Sequence, residues 1–350
     1  MFRHLGYAKA ITTQRRSMKL KMIAALCASL AFSACSHLPT QAPVTTTSSS
    51  LSAWQHLEQF QNIAKQHNNQ RSVGSQGGQA SAEYILKVAK TTPYTVQMLP
   101  FENREKTVGQ NIIVEIKGQN PNQAIIVGAH YDSVKAGPGI NDNASGVAVL
   151  LSVLEAYAKN NQQPRYTLYL AFWDSEEVGI AGSQHFAKQL SKQQLQGIQA
   201  YINVDMVGTK NPTALVLDAD KSSVDDLEQQ LKANGMPANE YAELLEGLRS
   251  TPSHPNDAYL QQVLSDFLKQ KNIPIREDLS TLVASDTAGF LGKVPVASII
   301  LFNEQMKGDI LEFAPCYHQA CDDLSHIDAN SLGLAQDALV QLIRAVEQKP

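Results

Sequence analysis

Acidic and histidine side chains follow three apolar segments of the chain, at the points where each segment ends. His130 closes the first segment, Glu176 and Glu177 follow the second, and Asp205 closes the third. If these segments are parallel strands, their carboxyl ends meet at one edge of a sheet, which is where open α/β sheets bind ligands. A single histidine or acid at a strand end usually has a structural role, but the repetition over three strands favours a shared site.

Two further features point to cations at this edge. In extended chain, His130 and Asp132 share a face, so the carboxylate can orient the imidazole of a metal-bound histidine. The loop over residues 139–146 contains Asp142, whose two oxygens could face two different cations. Taken alone, Asp142 would fit an Asx turn that caps a helix equally well.

The adjacent residues Glu176 and Glu177 place two negative charges directly after an apolar strand, which is costly unless cations neutralise them. Because neighbouring side chains diverge, one glutamate could bind metal while the other faces a substrate water. Residues 316–321 then present His318 on a short loop. Histidine, aspartate and glutamate without a thiolate ligand suit a catalytic zinc site, although manganese or cobalt would also suit this set.

The segments that must position these residues alternate apolar runs with amphipathic stretches, as is typical of an α/β fold. Strands are predicted over residues 111–116, 124–129, 166–173, 200–204 and 296–302, and most of these are continuous apolar runs, as expected for strands buried on both faces. Helices are predicted over residues 54–66, after an N-cap at Asn143 or Ser145, and over residues 331–347. The expected fold is a mixed, mostly parallel sheet sandwiched between helices.

The order of these motifs resembles the co-catalytic zinc aminopeptidases, whose superfamily includes glutamate carboxypeptidases and the transferrin receptor ectodomain. The resemblance covers roughly residue 111 to the C-terminus. It rests on His-x-Asp, an Asp-Asn-Ala-Ser-Gly loop, Glu-Glu-x-Gly-x-x-Gly-Ser, an Asp after a strand, and Tyr-His with Asp four residues on. It implies a zinc-exopeptidase, phosphorylase/hydrolase-like fold and hydrolysis of the N-terminal peptide bond of peptides with a free N-terminus.

The resemblance also implies a site with two zinc ions per chain that share one carboxylate. Asp142 is then the bridging ligand, His130 and Asp205 complete one zinc site, and Glu177 and His318 complete the other. This assignment uses every ligand position of the family's pattern.

The remaining roles follow from the same resemblance. Glu176 is the expected general base, Asp132 the carboxylate partner of His130, and Tyr317 a hydrogen-bond donor to the oxyanion. One departure concerns the substrate pocket, because residues 285–287 are Ser-Asp-Thr where relatives commonly carry Ser-Asp-His. The side-chain preference of the pocket is therefore not predicted.

Three alternative functions remain on the same fold. A glutaminyl cyclase-type zinc acyltransferase typically retains fewer zinc ions, and a carboxypeptidase differs in pocket residues that the sequence does not identify. A non-catalytic binding module, as in relatives that have lost ligands, is disfavoured because all five ligand positions are filled.

The N-terminus is predicted to direct export. Residues 1–34 form a signal peptide in which basic residues precede an apolar run over 22–34 that is too short to span a bilayer permanently. The sequence Leu-Ala-Phe-Ser-Ala-Cys ending at Cys35 resembles a lipobox, which favours lipidation of Cys35 over plain cleavage after Ala34. The expected location is the periplasmic side of a bacterial membrane, with the outer membrane favoured, and the export route stays open.

Cysteine usage suggests one disulfide. Cys27 leaves with the signal peptide and Cys35 is consumed by lipid, so Cys316 and Cys321 remain in an oxidising compartment. An even count there favours a Cys316–Cys321 disulfide over two free thiols, which stay possible.

The composition indicates an ordinary globular protein. With 43% hydrophobic residues, 18% charged residues and a net charge of -4, nothing in the bulk charge indicates nucleic-acid binding. The Thr-, Ser- and Pro-rich residues 35–52 are predicted as the lipidated N-terminus and a flexible linker. Residues 53–350 are predicted as the peptidase domain, with a helical insertion at about 218–270 that is rich in charge and helix formers.

Overall fold

A computed structural model describes residues 48–279, 282–307 and 310–349 of the 350-residue chain. The predicted signal peptide, Cys35 and most of the predicted linker lie outside the described residues. Among the helices of this part of the chain, none combines the length and apolar character that a membrane span requires.

Eight strands form one mixed sheet, and two short strands pair as a separate hairpin. The sheet strands are β1 (Thr95–Glu102), β2 (Val108–Ile116), β3 (Asn120–His130), β4 (Tyr166–Trp173), β5 (Ile198–Asp205), β6 (Thr213–Leu217), β7 (Ile275–Asp278) and β8 (Val296–Phe302), and the hairpin strands are β9 (Gln305–Lys307) and β10 (Ile310–Glu312). The strand order is β1-β2-β4-β3-β5-β8-β6-β7. The four innermost strands, β4, β3, β5 and β8, run parallel to one another, whereas β2 and β6 pair antiparallel on either side of them.

Helices cover both faces of the sheet. They are α1 (Ser48–Gln66), α2 (Gln76–Ala89), α3 (Ser145–Lys159), α4 (Ala181–Gln189), α5 (Lys192–Gly197), α6 (Ser222–Ala233), α7 (Ala238–Arg249), α8 (Asp257–Gln270) and α9 (Ala329–Gln348). One hydrophobic core joins a sheet face to α1, α2, α3, α8 and α9. A second core joins the opposite face to α4, α6 and α7. This arrangement confirms the predicted α/β fold with a sheet sandwiched between helices.

The continuous apolar runs of the inner strands follow from this double burial. In β3, Ile125 and Val127 belong to one core and Ile126 to the other, because successive side chains of a strand point to opposite faces. A strand in this position cannot carry the polar alternation of a half-exposed strand. The inner strands are therefore buried and largely apolar, and the polar residues lie at their carboxyl ends.

The predicted strands are all present, as β2, β3, β4, β5 and β8, although most are longer than predicted. The helix predicted after an N-cap at Asn143 or Ser145 is α3, but its N-cap residue is Ala144. The Oδ1 atom of Asn143 accepts a hydrogen bond from the backbone N–H of Gly146 at 2.9 Å. The segment predicted as a helical insertion contains α6, α7 and α8. Its status as an insertion stays a prediction.

Candidate metal centre

The candidate ligands are delivered by the carboxyl ends of three neighbouring parallel strands. His130 is the last residue of β3 and Asp205 the last residue of β5. β4 ends at Trp173, which pairs with His130 in the sheet register, and the chain then turns towards Glu176 and Glu177. The parallel pairing of β4, β3 and β5 therefore places the end of each strand on the same edge of the sheet.

The loop between β3 and α3 brings Asp142 to this edge, and Asn143 fixes the loop. The Asp142–Asn143 peptide bond is cis. The Asn143 side chain donates from Nδ2 to the carbonyl oxygen of Val204 at 2.9 Å. Its Oδ1 atom accepts from the N–H groups of Gly146 and Met206. Asn143 thus ties the Asp142 loop to the end of β5.

The five predicted metal ligands lie together around the Asp142 carboxylate. Its Oδ1 atom is 3.2 Å from Nε2 of His130, and its Oδ2 atom is 3.1 Å from Nε2 of His318. Asp205 Oδ1 lies 3.6 Å from His130 Nε2, and Glu177 Oε2 lies 3.3 Å from His318 Nε2. In each group of three residues that shares Asp142, the potential ligand atoms lie within 4.8 Å of one another.

The donor atoms fit a pair of zinc ions. Within the described residues, Glu177 Oε1 and Asp205 Oδ1 are buried and have no hydrogen-bond partner. A buried carboxylate oxygen without a partner is costly, and a cation beside it removes that cost. Imidazole nitrogens and carboxylate oxygens, with no thiolate, are the donors of catalytic zinc sites. His130 and Asp205 would hold one ion, Glu177 and His318 the other, and Asp142 would bridge them.

Asp132 connects His130 to the turn that carries the two glutamates. Its Oδ1 atom lies 3.4 Å from Nδ1 of His130, the ring nitrogen that faces away from Asp142. The same carboxylate accepts hydrogen bonds from the backbone N–H groups of Glu176 at 3.1 Å and Glu177 at 3.3 Å. Asp132 is fully buried, so its position is fixed by these contacts.

The electrostatics of the two glutamates reflect the crowding of carboxylates. Burial raises the pKa of Glu176 well above its usual value, and the carboxylates of Asp286, Glu177 and Asp205 add to the rise. Burial and the Asp142 carboxylate raise the pKa of Glu177 to about 7. A carboxyl group with a raised pKa is suited to accepting and returning a proton near neutral pH.

The two histidines experience the opposite balance. Burial alone would lower the pKa of His318, but hydrogen bonds with Asp142 and Glu177 outweigh it and raise this pKa to about 10. The pKa of His130 is also raised well above its usual value, because nearby carboxylates, with Asp205 foremost, outweigh its burial. The ring nitrogens therefore face concentrated negative charge.

The loop that carries His318 is closed by the predicted Cys316–Cys321 disulfide, which is present. Both Cys316 and His318 have positive φ angles, of 63° and 57°. The carboxylate of Asp322 accepts hydrogen bonds from the backbone N–H groups of Asn141 at 2.8 Å and Asp142 at 3.1 Å. Asp322 thus joins the His318 loop directly to the Asp142 loop.

The two loops also meet through their backbones. A Cβ atom at Gly137 would lie 2.1 Å from the carbonyl oxygen of Gln319, so only glycine allows this approach. Gly139 has a φ of +59°, and a Cβ atom there would lie 2.3 Å from the carbonyl oxygen of Asp142. Close backbone contact therefore fixes the separation of the loops that carry Asp142 and His318.

Tyr317 lies beside the candidate ligands. Its ring stacks on that of His318 with centroids 3.8 Å apart, and it meets Phe313 edge to face. Burial and the carboxylates of Asp142 and Glu177 raise the pKa of its phenol well above the usual value. The hydroxyl therefore stays protonated at neutral pH and can donate a hydrogen bond.

Three further residues belong to this region but were not given a role by the sequence. Arg71 is fully buried and donates to backbone carbonyl groups of the loop after β3. Asp322 is the last aspartate of the family pattern, which was the available signal for it. Asp286 is fully buried, and burial raises its pKa to about 7. Its signal was the Ser-Asp-Thr departure at residues 285–287.

Sequence comparisons match this chain to known proteins. The family model described as Peptidase family M28 matches residues 111–343. The leupeptin-inactivating enzyme 1 of Streptomyces exfoliatus is 31% identical over 290 residues, which are 82% of this chain and 60% of that enzyme. The probable lipoprotein aminopeptidase LpqL of Mycobacterium tuberculosis is 33% identical over 238 residues, which are 64% of this chain and 43% of that protein. The chain thus spans less than two thirds of each relative.

The fold itself recurs in solved structures. A glutaminyl cyclase from an Acidobacteriales bacterium superposes with a TM-score of 0.63 at 19% identity, covering 91% of this chain and all of that one. At this identity the similarity concerns the fold alone.

Proposed function

This chain belongs to peptidase family M28, and from that premise we propose that it is a zinc aminopeptidase that hydrolyses the N-terminal peptide bond of peptides with a free N-terminus. One observation carries the proposal. The Asp142 carboxylate faces His130 with one oxygen and His318 with the other, and Asp205 and Glu177 complete the two groups.

Five side chains of this centre would hold two zinc ions. Asp142 would bridge the two ions, His130 and Asp205 would complete one site, and Glu177 and His318 would complete the other. When bound, the ions supply Lewis acidity that polarises the scissile carbonyl group and acidifies water in the pocket. Asp132 holds the His130 ring through its second nitrogen, as carboxylate partners of metal-binding histidines do.

Glu176 acts as the general base and then as the general acid. Its carboxylate removes a proton from water while the water oxygen attacks the scissile carbonyl carbon. The C–N bond then breaks, and Glu176 delivers the proton to the leaving amine. The raised pKa of Glu176 supports both roles, because the group must bind the proton strongly enough to hold it between the two steps.

Tyr317 stabilises the negative charge that develops on the carbonyl oxygen. The raised pKa of its phenol, to which burial contributes most, keeps the hydroxyl protonated at neutral pH. Stacking on His318 fixes the direction of the ring relative to the centre. A hydrogen bond donated from this position stabilises a developing oxyanion more than the neutral carbonyl group.

The proposal is tested with the purified protein, supplied with zinc, on three substrate sets: amino-acyl anilides, N-blocked peptides and peptides with N-terminal glutamine. Release of only the first residue from unblocked peptides is the expected result. Release of C-terminal residues from the N-blocked peptides would instead identify a carboxypeptidase and overturn the proposal.

A glutaminyl cyclase-type acyltransferase is the second candidate, because the fold superposes on a glutaminyl cyclase over nearly its whole length. The ligand set favours hydrolysis, since all five positions for two ions are filled and cyclases of this type typically retain fewer. Formation of pyroglutamate from glutamine peptides, without release of the first residue from other peptides, would favour the second candidate.

We also propose that the protein is exported and lipid-anchored at Cys35 on the periplasmic side of a bacterial membrane. The support is the lipobox-like sequence before Cys35 and the similarity to a probable lipoprotein aminopeptidase. Metabolic labelling with a palmitate analogue is expected to mark the wild type and not the Cys35→Ser variant. Equal labelling of both, or release of the wild type as a soluble periplasmic protein, would contradict the anchor.

A further inference from the structure

Arg71 lies between α1 and α2, in a segment that precedes the residues matched by the family model. Its side chain is fully buried, and its guanidinium carbon lies 5.3 Å from the centre of the Phe60 ring. An arginine is almost never fully buried unless its charge and donors are matched. The hydrogen-bond and charge partners of Arg71 therefore indicate its structural role.

The guanidinium group binds the loop that separates His130 from Asp142. Nε donates to the carbonyl oxygen of Pro138 at 2.7 Å, and Nη2 donates to that of Gly139 at 2.5 Å. Nη1 donates to the carbonyl oxygen of Tyr131. One rigid planar group thus holds the residue directly after His130 together with residues just before Asp142.

The backbone of Arg71 reinforces the same contact. Its N–H group donates to Oγ of Ser133 at 2.9 Å, and the N–H group of Ser133 donates to the carbonyl oxygen of Arg71 at 3.4 Å. Ser133 Oγ in turn donates within the loop, to the carbonyl oxygen of Gly137 at 3.0 Å. Both ends and the middle of the loop are therefore tied to Arg71.

Charge adds to this geometry. The guanidinium group attracts the carboxylates of Asp132, Asp322, Asp142 and Glu177. Burial lowers the pKa of Arg71 to about 10, so it remains positively charged at neutral pH. A fixed cation behind the loop offsets part of the repulsion among these acids when they are brought together.

We propose that Arg71 is a positioning residue that sets the separation of His130 and Asp142. It thereby sets the affinity for zinc of the half-site that these two residues share. This inference rests on the zinc site of the proposed function. A lysine cannot replace the arginine, because it offers a point charge in place of a planar fork that spans three carbonyl groups. The N-terminal helical segment is then part of the metal centre.

The test measures zinc affinity in chelator-stripped protein by competition with a coloured chelator, together with urea unfolding. Arg71→Lys is expected to weaken binding of the zinc shared by His130 and Asp142 by about 10- to 100-fold, as loss of a residue that orients metal ligands typically does. With saturating zinc, kcat falls while KM stays close to that of the wild type, since Arg71 does not reach the substrate. The Co(II)-loaded variant is expected to show an altered visible absorption spectrum.

Two further variants make the result decisive. Leu264→Ala removes a buried side chain of α8, so it lowers stability without touching the loop and should keep wild-type zinc affinity. Ser133→Ala removes one link between Arg71 and the loop and is expected to weaken zinc binding by several-fold. If Arg71→Lys does not fold, Ser133→Ala decides the question.

Wild-type zinc affinity in Arg71→Lys would overturn the inference, as would an equal loss of affinity in Leu264→Ala. If Arg71→Lys does not fold, wild-type zinc affinity in Ser133→Ala would overturn the inference. Zinc binding and peptide cleavage by the wild-type protein distinguish failure of this inference from failure of the proposed function. If the wild type binds two zinc ions and cleaves no peptide, the proposed function fails and the inference about Arg71 remains. If it binds no zinc, both fail.

Discussion

The Nε2 atom of His318 lies 3.1 Å from the Oδ2 atom of Asp142. The other oxygen of this carboxylate faces His130 at 3.2 Å, so a single side chain joins two half-sites that come from distant parts of the sequence. Each half-site also contains a second carboxylate, from Asp205 or from Glu177. Metal binding by the two halves is therefore expected to be coupled through Asp142.

Zinc stoichiometry tests this coupling. We expect the wild type to bind two zinc ions per chain. Asp142→Asn keeps the shape of the side chain but replaces one anionic oxygen with an amide, so this variant is expected to bind at most one. Elemental analysis after dialysis measures the ratio. Asp266→Asn, which changes an exposed acid on α8, is the matched control and should keep two. Retention of two zinc ions by Asp142→Asn would show that Asp142 does not bridge the two ions.

Glu176→Gln separates catalysis from metal binding. An amide cannot accept the proton of water, so kcat is expected to fall by about 10²- to 10⁴-fold while the zinc content stays at the wild-type value. Glu177→Gln, one residue away, should instead lower the zinc content. Hydrolysis of an amino-acyl anilide and elemental analysis give the two readouts. Wild-type turnover in Glu176→Gln would assign the base to another group.

Tyr317→Phe removes a hydroxyl group and keeps the ring that stacks on His318. If the phenol donates to the oxyanion, kcat is expected to fall by about 10²-fold, as for loss of one oxyanion donor elsewhere. Zinc content and unfolding midpoint should stay close to wild type. Tyr259→Phe, which removes an exposed phenol bonded to the backbone of α9, is the control. An unchanged kcat in Tyr317→Phe would remove this residue from the mechanism.

The disulfide is expected to matter more for the His318 half-site than for global stability. Replacing Cys316 and Cys321 with serine opens a small loop, whose closure contributes only about 2 kcal/mol in the chain-entropy model. The free loop no longer holds His318, so zinc affinity at that half-site should fall while His130 keeps its ion. Titration of zinc alongside urea unfolding distinguishes the two effects. Wild-type affinity at both half-sites would contradict this role.

His56 is expected to make the fold sensitive to acid. It is buried, with Nδ1 2.7 Å from the Tyr84 hydroxyl and Nε2 3.4 Å from Glu155, and burial lowers its pKa below 6.5 although Glu155 opposes the shift. The unfolded chain then binds the proton more readily, so stability is complete above pH 6.5 and falls as the pH drops from there towards the lowered pKa.

Comparing urea unfolding of the wild type and His56→Gln on both sides of pH 6.5 measures this contribution. The variant should lose less stability on acidification than the wild type. Glu155→Gln should behave in the opposite way, because it removes the charge that raises the pKa of His56. Parallel pH profiles in all three proteins would exclude a contribution from His56.

Sequence patterns predicted the inner sheet because a strand that is buried on both faces appears in the sequence as a run of apolar residues. The runs that became β3, β4 and β5 are mostly apolar, and a histidine or acidic residue lies at or just after the end of each. The edge strand β1 left no such trace, since most of its side chains are partly or fully exposed and it contains Pro100. The short strand β7 is Ile-Arg-Glu-Asp, and its three charged residues give no apolar pattern that would predict its pairing with β6.

The candidate ligands could be found because zinc chemistry restricts residue types, so their order along the chain carries information. The roles of the supporting residues could not be found in this way. Arg71 stands in the polar sequence Asn-Asn-Gln-Arg-Ser, and its function depends on three backbone carbonyl groups that folding brings to it. The family pattern marked the position of Asp322, but its partners, the backbone N–H groups of the Asp142 loop, come close to it only on folding.

The position of the ligand-bearing strands has a practical consequence for engineering. β4, β3 and β5 are flanked on both sides by other strands, so neither border of the sheet belongs to the centre. Peptides grafted into the largely exposed turn between α6 and α7, at residues 234–237, are therefore expected to leave the chemistry intact. This part of the surface can therefore be altered independently of the metal centre.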